Sequence, residues 1–103
     1  MLLDPAYSLA FSVASVWEVA IKFSLEREDF RVDPRRFRQG LLDSGYREFE
    51  ITGEHAIATV RLPTIHEDPF DRILIAQAEV EGMLLLTSDP KLARYPGPVQ
   101  RVS

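Results

Sequence analysis

The sequence contains no cysteine, which excludes disulfides and thiolate metal sites. It has only two histidines, without a close His or Cys partner. A zinc site is therefore not expected, and any metal would be a hard, oxygen-liganded one. The longest apolar runs are about five residues, far short of the roughly 20 that span a bilayer. The start lacks the basic segment of a signal peptide, so a soluble, cytoplasmic protein is the expectation. Internal repeats, low-complexity tracts, linkers and a tight Asn-Gly hairpin are all absent. The net charge of −4 argues against non-specific nucleic-acid binding, though it leaves room for an enzyme that grips phosphates locally.

What is present is an ordinary globular composition: 103 residues, 46% of them hydrophobic. Residues 1–103 are read as a single small domain. Folding should bury roughly 60–70% of its surface, enough for one core.

The chain is organised around the stretch from His66 to Asp89. Asp68-Pro69 supplies an N-cap followed by proline at the first helical position, which predicts a helix from Pro69 to Glu81 stopped by Gly82. Its 70/73/77/80 and 71/74/75/78 stripes are both largely apolar, so it should be covered on two sides, with Arg72, Ala76 and Glu79 facing out. Met83 to Leu86 reads as a buried parallel strand. Asp89-Pro90 starts a short helix to about Tyr95, and Val99 to Val102 is a last strand.

Upstream, Asp4-Pro5 reads as a turn and Tyr7 to Val13 as an alternating strand. A helix follows from Ser15, with Glu18 at capping-box spacing and Trp17 in the core. Asp33-Pro34 opens a helix that Gly45 ends. Arg31, Arg35, Arg36 and Arg38 make this region basic, either as a solvated face or as a phosphate-facing rim. Tyr46 to Thr52 alternates as an edge strand, and Gly53 to Arg61 is a short helix stopped at Leu62-Pro63. Strands alternating with helices predict an α/β fold: a parallel sheet with helices on both faces, an α/β/α sandwich.

In such a sheet, ligands bind beyond the carboxyl ends of the strands. Glu18, Asp71 and Asp89 fall at that end, with Asp68 as a fourth acid. Each has a plain structural role available: Glu18 pairs with Ser15 or Lys22, Asp71 suits the helix dipole, and Asp68 and Asp89 are N-caps. Yet Asp71 continues an apolar stripe, and a carboxylate there needs a partner or a cation. Clustered carboxylates are relieved by Mg²⁺ or Mn²⁺, and the chemistry that such a site supports is metal-assisted phosphodiester hydrolysis. Ser12, Ser15, Thr87 and Ser88 are weak nucleophile candidates, because no histidine is placed to activate them. His66 reads as a loop or packing residue, with orientation of an acid as the alternative.

Three motifs in order, Ser12-x-x-Ser15-x-x-Glu18, His66-Glu-Asp68-Pro-Phe-Asp71-Arg and Leu86-Thr-Ser-Asp89, resemble PIN-domain proteins of the VapC toxin type. The resemblance covers nearly the whole chain. It implies an α/β/α fold and a Mg²⁺- or Mn²⁺-dependent endoribonuclease acting on RNA, held by a small antitoxin in a bacterial or archaeal toxin–antitoxin pair. It also implies metal-ligand roles for Glu18, Asp71 and Asp89, with Asp68 as an accessory acid.

The departure is at the start. Family members usually begin with an apolar strand ending in an aspartate, followed by helices. Met1-Leu2-Leu3-Asp4 imitates that strand, but only four residues separate Asp4 from Leu9, and a parallel crossover needs about a dozen or more. The first strand is therefore expected to be missing, the domain truncated, and the exposed sheet edges to drive self-association into a homo-oligomer. Two main readings stand: a toxin-class ribonuclease with Glu18, Asp71 and Asp89 as its remaining ligands, or a non-catalytic module that still docks an antitoxin or itself. In a third, the acids are only caps on an unrelated α/β domain.

Overall fold

Asp-Pro pairs punctuate this chain, and the fold follows them. The structure, a computed structural model, describes residues 1–26, 28–63 and 68–102. Three helices start at Asp-Pro: α2 (Pro34–Asp43), α4 (Pro69–Glu81) and α5 (Pro90–Ala93), capped by Asp33, Asp68 and Asp89. In each, the aspartate accepts from backbone N–H groups that the first turn leaves unpaired, while proline presets φ where no donor is needed. The other helices are α1 (Val13–Ser24) and α3 (Gly53–Ala58), the latter running on into a 3₁₀ turn, Thr59–Arg61.

The strands are β1 (Leu2–Leu3), β2 (Leu9–Ser12), β3 (Arg47–Phe49), β4 (Leu84–Thr87) and β5 (Val99–Arg101), in one sheet of order β3-β2-β1-β4-β5. The β2–β3 and β4–β5 pairs are parallel. The pairs that β1 makes are antiparallel, Leu2 opposite Ala10 and Leu85, Leu3 opposite Leu9 and Leu84. The α/β architecture is as expected; the sheet is mixed rather than wholly parallel.

The mid-sheet slot expected to stand open is filled, though not by a parallel strand of the kind with which family members begin. Leu2 and Leu3 fill the central slot, running opposite to the other four strands. The crossover argument excludes only a parallel connection; a tight turn joins antiparallel neighbours readily. That turn is built on Asp4. Its Oδ1 accepts from Ala6 N and Ser8 N, each at 2.9 Å, its amide donates to the Ser8 carbonyl at 3.1 Å, and its Oδ2 pairs with the Arg47 guanidinium. Tyr7 takes a left-handed φ of 63°.

The main core lies between the sheet and α4, with Leu2, Ala10, Ile75, Ala78, Met83 and Leu85 at its centre. Consecutive residues Ala10 and Phe11 point to opposite faces of β2, and both are buried, so this strand is covered on both sides. In α4, Ile75, Ala76, Gln77 and Ala78 are all fully buried. Four consecutive helical residues point almost all the way round the axis, so the middle of α4 has no solvent face. Ala76 and Arg72 were expected to face out. Instead α3 and its 3₁₀ turn cover them, and Arg72 donates to the carbonyls of Thr59 and Pro63, both at 3.0 Å.

Gly82, at φ 66°, ends α4. Its left-handed backbone lets Met83 N reach back to the Ala78 carbonyl at 2.8 Å, which turns the chain into β4. Among the described residues, no helix is long and apolar enough to cross a membrane.

Candidate functional site

Because β2 and β4 both run antiparallel to β1, their carboxyl ends share one edge of the sheet. β2 leads there into α1, which carries Glu18, and β4 leads into Asp89. Helix α4 packs on β4 and is joined to it through Gly82, so it runs back and brings Asp68 and Asp71 to that same edge. The Trp17 and Phe70 rings meet edge-on with centroids 5.1 Å apart, tying the start of α4 to α1 beside Glu18 and Asp71.

Each acid has local work. α1 begins at Val13 with Ser12 as its N-cap, Oγ accepting from Ala14 N at 3.1 Å. Ser15 is thus already inside the helix, and the expected Ser15–Glu18 capping box does not form. A strand ending at Ser12 leaves that residue as the first one able to cap. Glu18 is half-buried and lies 3.6 Å from Lys22 Nζ, one turn on. Asp68 Oδ1 accepts from Phe70 N at 2.8 Å and Asp71 N at 3.3 Å. Asp89 Oδ1 accepts from Lys91 N at 2.9 Å, and its own amide donates to Thr87 Oγ1 at 3.0 Å. Asp71 is half-buried in the first turn of α4. His66 lies outside the described residues.

The donor chemistry of Glu18, Asp71 and Asp89 suits a hard divalent cation. Their arrangement does not: among the described residues, no three His, Cys, Asp or Glu side chains gather where they could hold a metal ion. Nor does Asp4 complete a set. Because β1 is reversed, Leu3 lies opposite Leu9 and Leu84, the first residues of β2 and β4. Asp4 therefore emerges at the amino edge of the sheet, across from Glu18, Asp71 and Asp89. The described residues do not fit the metal that the family resemblance implies.

The basic segment is mostly a solvated face. Arg38 is held in a fork on Glu48, Nε to Oε2 at 2.5 Å and Nη2 to Oε1 at 3.1 Å. That hydrogen bond is the main reason the Glu48 carboxyl is held below its ordinary range. Arg35 and Arg36 are exposed.

Three features were not legible beforehand. Trp17, expected in the core, is 61% exposed. With Val13, Ile21, Ile51, Phe70 and Ile73 it lines an apolar groove of about 570 Å³ between α1 and α4. No described element packs over that face, which is why the tryptophan stays in the open.

His55 is buried. Its Nδ1 accepts from Thr52 N at 3.0 Å and its Nε2 lies 2.8 Å from Glu81 Oε1. Acceptance at Nδ1 fixes the tautomer with the proton on Nε2, which donates to Glu81. The signal was present as Thr52-x-x-His55, a capping box with histidine at the reciprocal position.

Gln77 is also buried. Its Nε2 donates to the Glu50 carbonyl at 3.1 Å, while its Oε1 lacks a partner among the described residues. A glutamine inside the 70/73/77/80 apolar stripe was the available signal.

Residues 2–98 match the PIN domain family, whose members are generally nucleases. No curated protein and no solved structure gives a significant match. With the family match spanning nearly the whole sequence, and a five-stranded α/β fold that places Glu18, Asp71 and Asp89 at one edge, the chain belongs to the PIN domain family.

Proposed function

We propose that this chain is the toxin-type member of a toxin–antitoxin pair, and that it acts by docking a small antitoxin protein rather than by cutting RNA unaided. The observation that supports this reading most is the open groove between α1 and α4. It is lined by apolar side chains and lies beside the edge that carries Glu18, Asp68 and Asp71, so its occupant is an antitoxin segment with apolar anchors and a basic flank. Exposed tryptophan is the residue type that most often dominates such contacts. Trp17→Ala is expected to weaken binding of the proposed antitoxin by about tenfold or more, as measured by calorimetry. Unchanged affinity would remove the groove from the interface.

The second reading is a Mg²⁺- or Mn²⁺-dependent endoribonuclease. The placement of Glu18, Asp71 and Asp89 at one sheet edge favours it. A quenched-fluorophore RNA assay with Mn²⁺ separates the two. The docking reading expects no cleavage above that of the Asp71→Asn protein. Cleavage that requires Mn²⁺ and is lost in both Asp71→Asn and Asp89→Asn would establish the nuclease instead.

A further inference from the structure

We infer that β1 is an exchangeable strand, and that the slot it fills accepts β1 of a second copy of this chain. Three observations carry this. First, β1 is two residues long yet occupies the centre of the sheet, with Leu2 1% exposed and all its pairing made to β2 and β4. Its sheet pairing would re-form unchanged if β1 came from another copy.

Second, only the turn from Asp4 to Ser8 distinguishes the closed chain from an exchanged dimer. That turn holds Tyr7 in a left-handed conformation at φ 63°, which a bulky residue rarely adopts. Tyr7 is 83% exposed, so no packing compensates. Opening the turn into an extended linker releases this strain in both copies, and short strained hinges favour swapping.

Third, beside two backbone hydrogen bonds, Asp4 N to Ser8 O and Tyr7 N to Asp4 O, the side-chain contacts that oppose opening converge on one residue. The Asp4 carboxylate accepts from Ala6 N and Ser8 N and pairs with Arg47 on β3. Asp4 is thus the latch of the closed form. This assigns the acid that imitates the end of the family's first strand a role at the opposite edge of the sheet.

The sequence contains no cysteine, so introduced thiols report without interference. Leu3 and Leu84 are register partners on one face, and both are only half-buried. Separate Leu3→Cys and Leu84→Cys chains are mixed, incubated and oxidised, and the products are weighed by mass spectrometry. The expected product is the mixed Leu3→Cys/Leu84→Cys disulfide, well above its statistical share against the two homodisulfides, because β1 of one copy lying on β4 of the other aligns that pair. Adding Asp4→Ala to both chains should raise its yield severalfold, and Tyr7→Gly should lower it severalfold. Should Asp4→Ala fail to fold, Arg47→Ala tests the same latch from its other side.

Two results would overturn the inference. One is a monomer by light scattering with no mixed disulfide above its statistical share in any background. The other is a dimer by light scattering that still gives no mixed disulfide above that share, which would mean association through another face.

Discussion

Ile75→Ala is expected to lower stability by about 2–5 kcal/mol. Ile75 is fully buried at the centre of α4, in the turn that has no solvent face. Neighbours there include Ala76 and Ala78, already the smallest side chains that pack, so the site has little means of closing over the void. A domain of about 100 residues has a total stability of only about 5–15 kcal/mol. The loss should appear as a fall in Tm of about 4–8 °C for each kcal/mol. Urea denaturation of the two proteins checks it, and a loss below 1 kcal/mol would mean that α4 is not the packing centre described.

His55→Ala should cost about 2–3 kcal/mol, more than an ordinary cap, because three things go at once. The Thr52 amide loses its acceptor, the Glu81 carboxylate loses its donor, and a buried ring leaves a void. His55→Gln sharpens the test. Glutamine is a normal residue at this position of a capping box and can accept from Thr52 N. It should recover about half the loss, the rest belonging to the Glu81 link and the ring's packing. If alanine and glutamine are equally harmful by urea denaturation, the cap has no share in the effect.

Much of this fold was legible because its signals are local. Asp33-Pro34, Asp68-Pro69 and Asp89-Pro90 begin helices as their chemistry requires, and Gly82 ends α4. What escaped was decided by partners distant in sequence. Trp17 belongs to an apolar helix face that nothing described covers, and periodicity alone cannot tell such a face from a core one. Ala76 and Arg72 looked outward until α3 packed on them. The direction of β1 was illegible for a different reason. Leu2-Leu3 carries an apolar signal without a polarity, and only the short distance to Leu9, read as allowing a turn, gives the antiparallel answer.

The candidate site divides in the same way. The order of strands and helices was enough to assign Glu18, Asp71 and Asp89 to one edge of the sheet, and β2, α4 and β4 run so that they lie there. The cap roles of Asp68 and Asp89 were legible from their Asp-Pro pairs, whereas the place of Asp4 across the sheet from them was not. Local hydrogen bonds to backbone amides, worth about 1 kcal/mol each, are enough to set the orientation of the Asp68 and Asp89 side chains.

The strand order has a consequence for how the molecule holds together in time. Among the described strands β3 pairs only with β2 and β5 only with β4, so within the sheet β1 is the seam that joins two parallel ribbons. Neither ribbon is a stable sheet by itself. The β1–β2 side of the seam joins near neighbours and can zip early. The β1–β4 side joins residues from opposite ends of the sequence and must wait for most of the chain to be in place. Within the sheet, the two ribbons therefore act as one cooperative unit through Leu2 and Leu3, with α4 spanning both on one face.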